Sequence, residues 1–142
     1  MQTFLPYKSF IKSAKCLDYK RLGKQRVEAK QIYLALTNPG SSRWENHPAV
    51  RMWKGYEQAL VVYGIAVCTE WKYGRGFKDN QLAWFIERLN ITQYTGDPPW
   101  LGLPEFHLSH QSNLIRKNPQ FYKTIFGNDV PDNIPYIWPV KN

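Results

Sequence analysis

The chain is short of cysteine, histidine and acid. Cys16 and Cys68 are its only cysteines, it has three histidines, and no CxxC pair occurs. A structural zinc site is therefore not expected, whereas free thiols in a reducing cytoplasm are. Long apolar runs are lacking too. The best, "ALVVYGIAVC" at 59–68, is too short to span a membrane and has Lys, Arg and Glu on its flanks. The opening "MQTFLPYKSF" has no apolar stretch of the length a signal peptide needs. No Walker loop, GxGxxG, GxSxG or kinase signature is present, so nucleotide hydrolysis and hydride transfer have no support. Period-two alternation, internal repeats and low-complexity tracts are also missing.

What is there is apolar, aromatic and basic. The length of 142 residues suggests one domain, 1–142, able to bury a core without metals or disulfides. Lys and Arg number 19 against 11 Asp and Glu, a net charge of +8. That balance favours a polyanionic partner, nucleic acid first and an acidic membrane surface second. Six Trp, nine Tyr and seven Phe are enough to fill a core and leave some rings for base stacking.

Helical spacing dominates the pattern, and the fold class expected is all-α: a compact bundle of three to four main helices. The first runs from about Ser13 or Asp18 to Thr37, stopped by Asn38-Pro39-Gly40. The second starts at Asn46 or His47, with Pro48 in its first turn, and reaches about Tyr73. Continuous, it would be about 40 Å long, and its apolar middle marks it as the central buried helix. A third covers about 79–89 with Asp79 as N-cap. A fourth starts near Pro104 and ends at Asn118-Pro119, with a short helix "PQFYKTIF" after it. The segment from about 127 to 142, rich in proline, reads as an extended tail.

The chemistry concentrates in "LDYKRLGKQRVE" at 17–28, where Lys20, Arg21, Lys24, Arg26 and the nearby Lys30 surround Glu28. On spacing alone, Lys24 and Glu28 form an ordinary i, i+4 surface pair. The sharper reading is an acid kept ionised by cations and set against an anionic substrate. His47 fits a helix cap. His107 and His110 share a helix face at i, i+3, but no third ligand or HExxH frame accompanies them, so no metal is assigned. Arg116, Lys117 and Lys123, with Phe121 and Tyr122 between them, suit phosphate contacts and stacking, or a solvated helix end. Trp44 and Trp53 are candidate stacking rings, and core burial is the better reading for Trp53.

Three segments carry a family resemblance: "LDYKRLGKQRVE" at 17–28, "HPAVRMWKGYEQALVVYGIAVCTEWKYGRGF" at 47–77 and "SNLIRKNPQFYKTIFG" at 112–127. In their order and spacing the chain resembles the pyrimidine-dimer DNA glycosylase and abasic-site lyase family (endonuclease V-like), and within it a divergent bacterial and phage branch. The resemblance implies a compact all-α domain whose N-terminus reaches between helices into the site. It implies a DNA N-glycosylase with β-elimination lyase activity on damaged or modified pyrimidines in double-stranded DNA, acting as a monomer and without a cofactor. By the same resemblance the nucleophile is the α-amine of Met1, retained because Gln2 is bulky, and Glu28 is the catalytic carboxylate, matched after a one-residue gap. Arg26 matches an arginine beside that glutamate, and Arg21 and Lys24 are further phosphate ligands. His47 matches a histidine at the head of the second helix. His110 stands where the family has an arginine, and Arg116, Lys117, Tyr122 and Lys123 fall in its aromatic-basic segment; the resemblance assigns all of these, with His47 and Arg26, to DNA or phosphate contacts. The tail from Val130 onward extends beyond the family's usual end. Alternatives are a nucleic-acid-binding module without catalysis, the same chemistry on a hypermodified base or RNA, and a basic face that binds an acidic protein.

Overall fold

The computed structural model describes residues 1–140, and its regular secondary structure is all helical, with no strand among the described residues. Seven α-helices follow in order: α1 Phe10–Cys16, α2 Tyr19–Thr37, α3 Pro48–Arg51, α4 Glu57–Thr69, α5 Leu82–Ile91, α6 Pro104–Lys117 and α7 Pro119–Phe126. A π-helical turn, Glu70–Gly74, extends α4. None of the helices is long and apolar enough to cross a membrane.

The expected all-α class is observed, with one helix redrawn. Of the two starts expected for the first long helix, Asp18 is the observed one, and Ser13 belongs to the separate short helix α1. Leu17 is extended and fully buried, and the Asp18 side chain caps a new helix by accepting from Arg21 N. The second expected helix is not a single 40 Å rod. His47 and Pro48 start α3 as anticipated, but the chain turns at Gly55, whose φ of 88° favours glycine. That turn folds Met52 and Trp53 into the core before α4 begins. Apolar periodicity continued across the break because both pieces bury residues, so periodicity alone could not reveal it.

The central helix is α4, which packs against α1, α2 and α5. Its Leu60, Val61, Tyr63, Gly64, Val67 and Cys68 are fully buried. Gly64 is required by its neighbour: a Cβ there would lie 2.3 Å from the Phe85 ring of α5. The Asp79 carboxylate accepts from Gln81 N and Leu82 N, so it starts α5 as expected, from slightly outside the helix. The α6 boundaries agree with Pro104 and Asn118-Pro119, and the Asn118 side chain caps α7.

The tail is extended, as anticipated, and runs back along α6; its last two residues lie outside the described residues. Side chains of α6 hold it. Ser112 Oγ accepts from Ile134 N at 2.9 Å, Ser109 Oγ from Ile137 N at 3.3 Å, and Arg116 donates to the Asp132 carbonyl at 2.7 Å.

Candidate active site

The first five residues belong to no helix and have no sheet to join. Buried backbone groups must still find partners, and here side chains from α2 and α6 supply them. Gln25 on α2 reads the segment twice: its Oε1 accepts from Phe4 N at 2.9 Å and its Nε2 donates to Gln2 O at 3.0 Å. The Tyr63 hydroxyl of α4 donates to the same Oε1 at 2.5 Å and fixes the amide's orientation. From α6, His110 Nδ1 accepts from Leu5 N at 3.0 Å, and Gln111 donates to Pro6 O at 2.8 Å. His107 Nδ1 stands 2.8 Å from the Leu5 carbonyl. That oxygen can only accept, so His107 carries its proton on Nδ1 and its Nε2 accepts from Gly102 N. Burial keeps both imidazoles neutral, lowering His107 and pushing His110 down to about 3.

This threading delivers the chain start to Glu28. The Gln2 amide donates to Glu28 Oε2 at 3.0 Å, and Gln25 Nε2 lies 3.4 Å from the same oxygen. Gln25 and Glu28 occupy one face of α2 at i, i+3, which is why one segment can meet both. Met1, Gln2, Lys20, Arg21, Lys24, Glu28 and Lys117 line a groove of about 660 Å³, in which Glu28 is the one carboxylate. Neither Lys24 nor the α-amine is ion-paired to Glu28 among the described residues, so the simple surface-pair reading does not hold. A second groove of about 500 Å³ adjoins it, sharing Lys20, Lys24 and Glu28 and floored by Gly23 and Trp71. A larger apolar groove between α1 and α4, lined by Ile11, Val62 and Tyr73, lies away from this chemistry.

The remaining site candidates divide. Arg21 lines the groove and pairs with Asp18 at 3.2 Å. Burial alone would raise the Asp18 carboxyl, but hydrogen bonds from Tyr122 and Arg21 outweigh it and hold the group below its ordinary range. Lys117 and Lys123 are exposed at the ends of α6 and α7. Arg116 is exposed but occupied: besides the tail carbonyl it bonds Ser112 Oγ and Asn113 Oδ1.

Three expectations require correction. Arg26 is only 8% exposed, pairs with Asp79 at 2.7 Å and lies over the Trp71 ring, so it braces the start of α5 rather than facing phosphate. His110 is 2% exposed and neutral, which makes it a backbone clamp and not a phosphate ligand. Tyr122 is buried, with its hydroxyl donated to Asp18. His47 keeps the capping role, accepting from Ala49 N at 3.0 Å, and its ring sits edge-on between Trp44 and Trp138. Burial first, and then the positive charge of the α-amine, lower its pKa, so His47 borders the chain start as a neutral group. Trp53 is core, whereas Trp44 is 37% exposed beneath the Arg43 guanidinium. Sequence reasoning missed Gln25 as the organiser of the site. Its signal was a polar residue inside the buried stripe of α2, but its partners lie more than twenty positions away.

The helical domain thus draws its own chain start into a basic groove around a single carboxylate. The family model described as pyrimidine dimer DNA glycosylase matches residues 1–84, and the chain belongs to that family. The matched stretch contains the N-terminal segment, Gln25, Glu28 and α4; α6, α7 and the tail lie beyond it. No curated protein and no solved structure matches the chain closely enough for comparison.

Proposed function

We propose that the protein is a DNA glycosylase with abasic-site lyase activity, acting on damaged or modified pyrimidines through the α-amine of Met1. The carrying observation is the 3.0 Å bond from Gln2 N to Glu28, which sets the amine one residue from the groove's carboxylate. Family membership supplies DNA as the substrate. The groove's cations, Lys20, Arg21, Lys24 and Lys117, suit the phosphates on either side of the reacting sugar.

The chemistry follows from that placement. α-Amines as a class titrate near 8, well below lysine, so a useful fraction is neutral at physiological pH. The amine nitrogen bonds the sugar C1′, and the C1′–N1 bond breaks with its electron pair leaving on the pyrimidine. Glu28 takes the proton the amine sheds and stabilises positive charge at C1′. Glu28 returns that proton to O4′ as the C1′–O4′ bond breaks and the ring opens to an imine, and the departing pyrimidine anion takes its proton from water. The Glu28 carboxylate then removes a C2′ proton, the C3′–O bond breaks with its electron pair on the 3′-phosphate, and water hydrolyses the imine to free the amine. The sequence of steps needs no metal or organic cofactor.

Borohydride trapping on a duplex with one abasic site tests this. Untagged protein should form a covalent adduct, and chemical blocking of the N-terminal amine should abolish it. Tight binding with no adduct would overturn the lyase mechanism in favour of a binding module.

A further inference from the structure

Three buried side-chain polar atoms have no hydrogen-bond partner among the described residues: Gln2 Nε2, Tyr136 Oη and Gln81 Oε1. Gln81 belongs to the start of α5. The other two lie near the chain start, one on its second residue and the other on the tail, although Tyr136 does not line the Glu28 groove itself. Gln2 lines the groove and bonds Glu28 through its backbone. Tyr136 packs against His110, the residue that clamps Leu5, with ring centroids 5.3 Å apart. It also contacts Trp138, which closes on His47. The charges of Arg116, Arg21 and Glu28 all reach its phenol. Burial dominates these influences and raises its pKa, so the hydroxyl remains protonated and able to donate.

A buried donor left without a partner is costly, and native proteins keep few of them. Two such donors on residues that both neighbour Glu28 point to a ligand acceptor. Resting on the proposed glycosylase reading, we infer that Tyr136 and Gln2 donate hydrogen bonds to a carbonyl oxygen of the pyrimidine being released. The base departs with the electron pair of the C1′–N1 bond, and that negative charge spreads onto its ring carbonyls. Donors aimed there are worth most as the bond breaks. The tail carrying Tyr136 is held at Ile134 and Ile137 through serine hydroxyls. Both donor atoms are closed to solvent in this structure, so the tail must move outward for the base to reach them.

The substitution Tyr136→Phe removes one oxygen atom. It is compared with wild type in two single-turnover assays: base excision from a pyrimidine-dimer duplex, and strand cleavage at a preformed abasic site. A base contact acts only in the first, so the ratio of excision to abasic-site cleavage should fall roughly tenfold or more. The melting temperature should hold or rise, since an unsatisfied group has gone. Gln2→Leu, which keeps a bulky second residue, should shift the ratio in the same direction. An equal loss in both assays would mean a phosphate contact or a structural role and would overturn the inference. Unaltered rates, as for a hydroxyl that holds only a water, would overturn it too. Wild-type excision with an unchanged ratio in the variants sinks this inference alone; wild type that neither excises nor cleaves sinks the glycosylase reading as well.

Discussion

At the scale of single residues, two neighbours on α2 have opposite fates. Glu28 faces the groove and is committed to the chain start, while Arg26 points inward to Asp79. Glu28→Gln keeps the shape and removes the base, so borohydride trapping should fall by about 10² or more with DNA affinity retained in a gel-shift assay. Arg26→Ala tests the corrected role. It leaves the buried Asp79 carboxylate without its cation, and a broken buried pair costs about 3–5 kcal/mol. Urea denaturation should report that loss, while the salt dependence of DNA binding should stay as in wild type. Gln25→Leu strips the partners from Phe4 N and Gln2 O. Each orphaned group costs about 1–3 kcal/mol, and trapping should slow even at temperatures where the variant is fully folded.

At the scale of elements, the N-terminal segment depends on α6 holding two histidines neutral. His110 is near 6.5 when unfolded and about 3 when folded. Its contribution to stability is therefore complete above about pH 6.5 and is lost as pH falls toward 3. The slope is about 1.4 kcal/mol per pH unit for one such group, and His107 adds in the same direction. Melting temperature should drop steadily across that window, and His110→Asn should flatten the curve. The elements themselves were largely legible. Pro39, Pro48, Pro104 and Pro119 punctuate the chain where helices start or stop, and Asp18 and Asn118 cap where their side chains allow. The Gly55 turn was not legible, because the exposed Lys54 and Gly55 stand between core residues, Met52 and Trp53 before them and Leu60 after, so the apolar pattern reads on as uninterrupted helix. The inward faces of Arg26, His110 and Tyr122 were hidden for a related reason. Residue type advertises charge, but the partner that neutralises it lies far along the chain: 53 positions for Arg26, 105 for His110 and 104 for Tyr122.

At the scale of the whole molecule, the net charge of +8 is concentrated usefully, since four cations meet at one groove. Each of Lys20, Lys24 and Lys117 that contacts a phosphate should add about 0.9 to the slope of log affinity against log salt. Stepwise Lys→Gln substitution should reduce that slope by about this amount per residue, measured by fluorescence anisotropy over a salt series. The gathering of cations around Glu28, of which Lys20, Arg21 and Lys24 line one groove, was legible from 17–28 alone. The closure of the site by α6 was not, because it joins the two ends of the chain. That closure also has a consequence for biosynthesis. Leu5 bonds to a histidine 105 residues later, so a chain emerging from the ribosome cannot seat its beginning until α6 has been made. Met1 carries the reacting α-amine on the proposed mechanism, and that amine stays open throughout this interval to enzymes that trim or acetylate nascent chains. On the proposed mechanism such processing decides, before folding is complete, whether each molecule is born active.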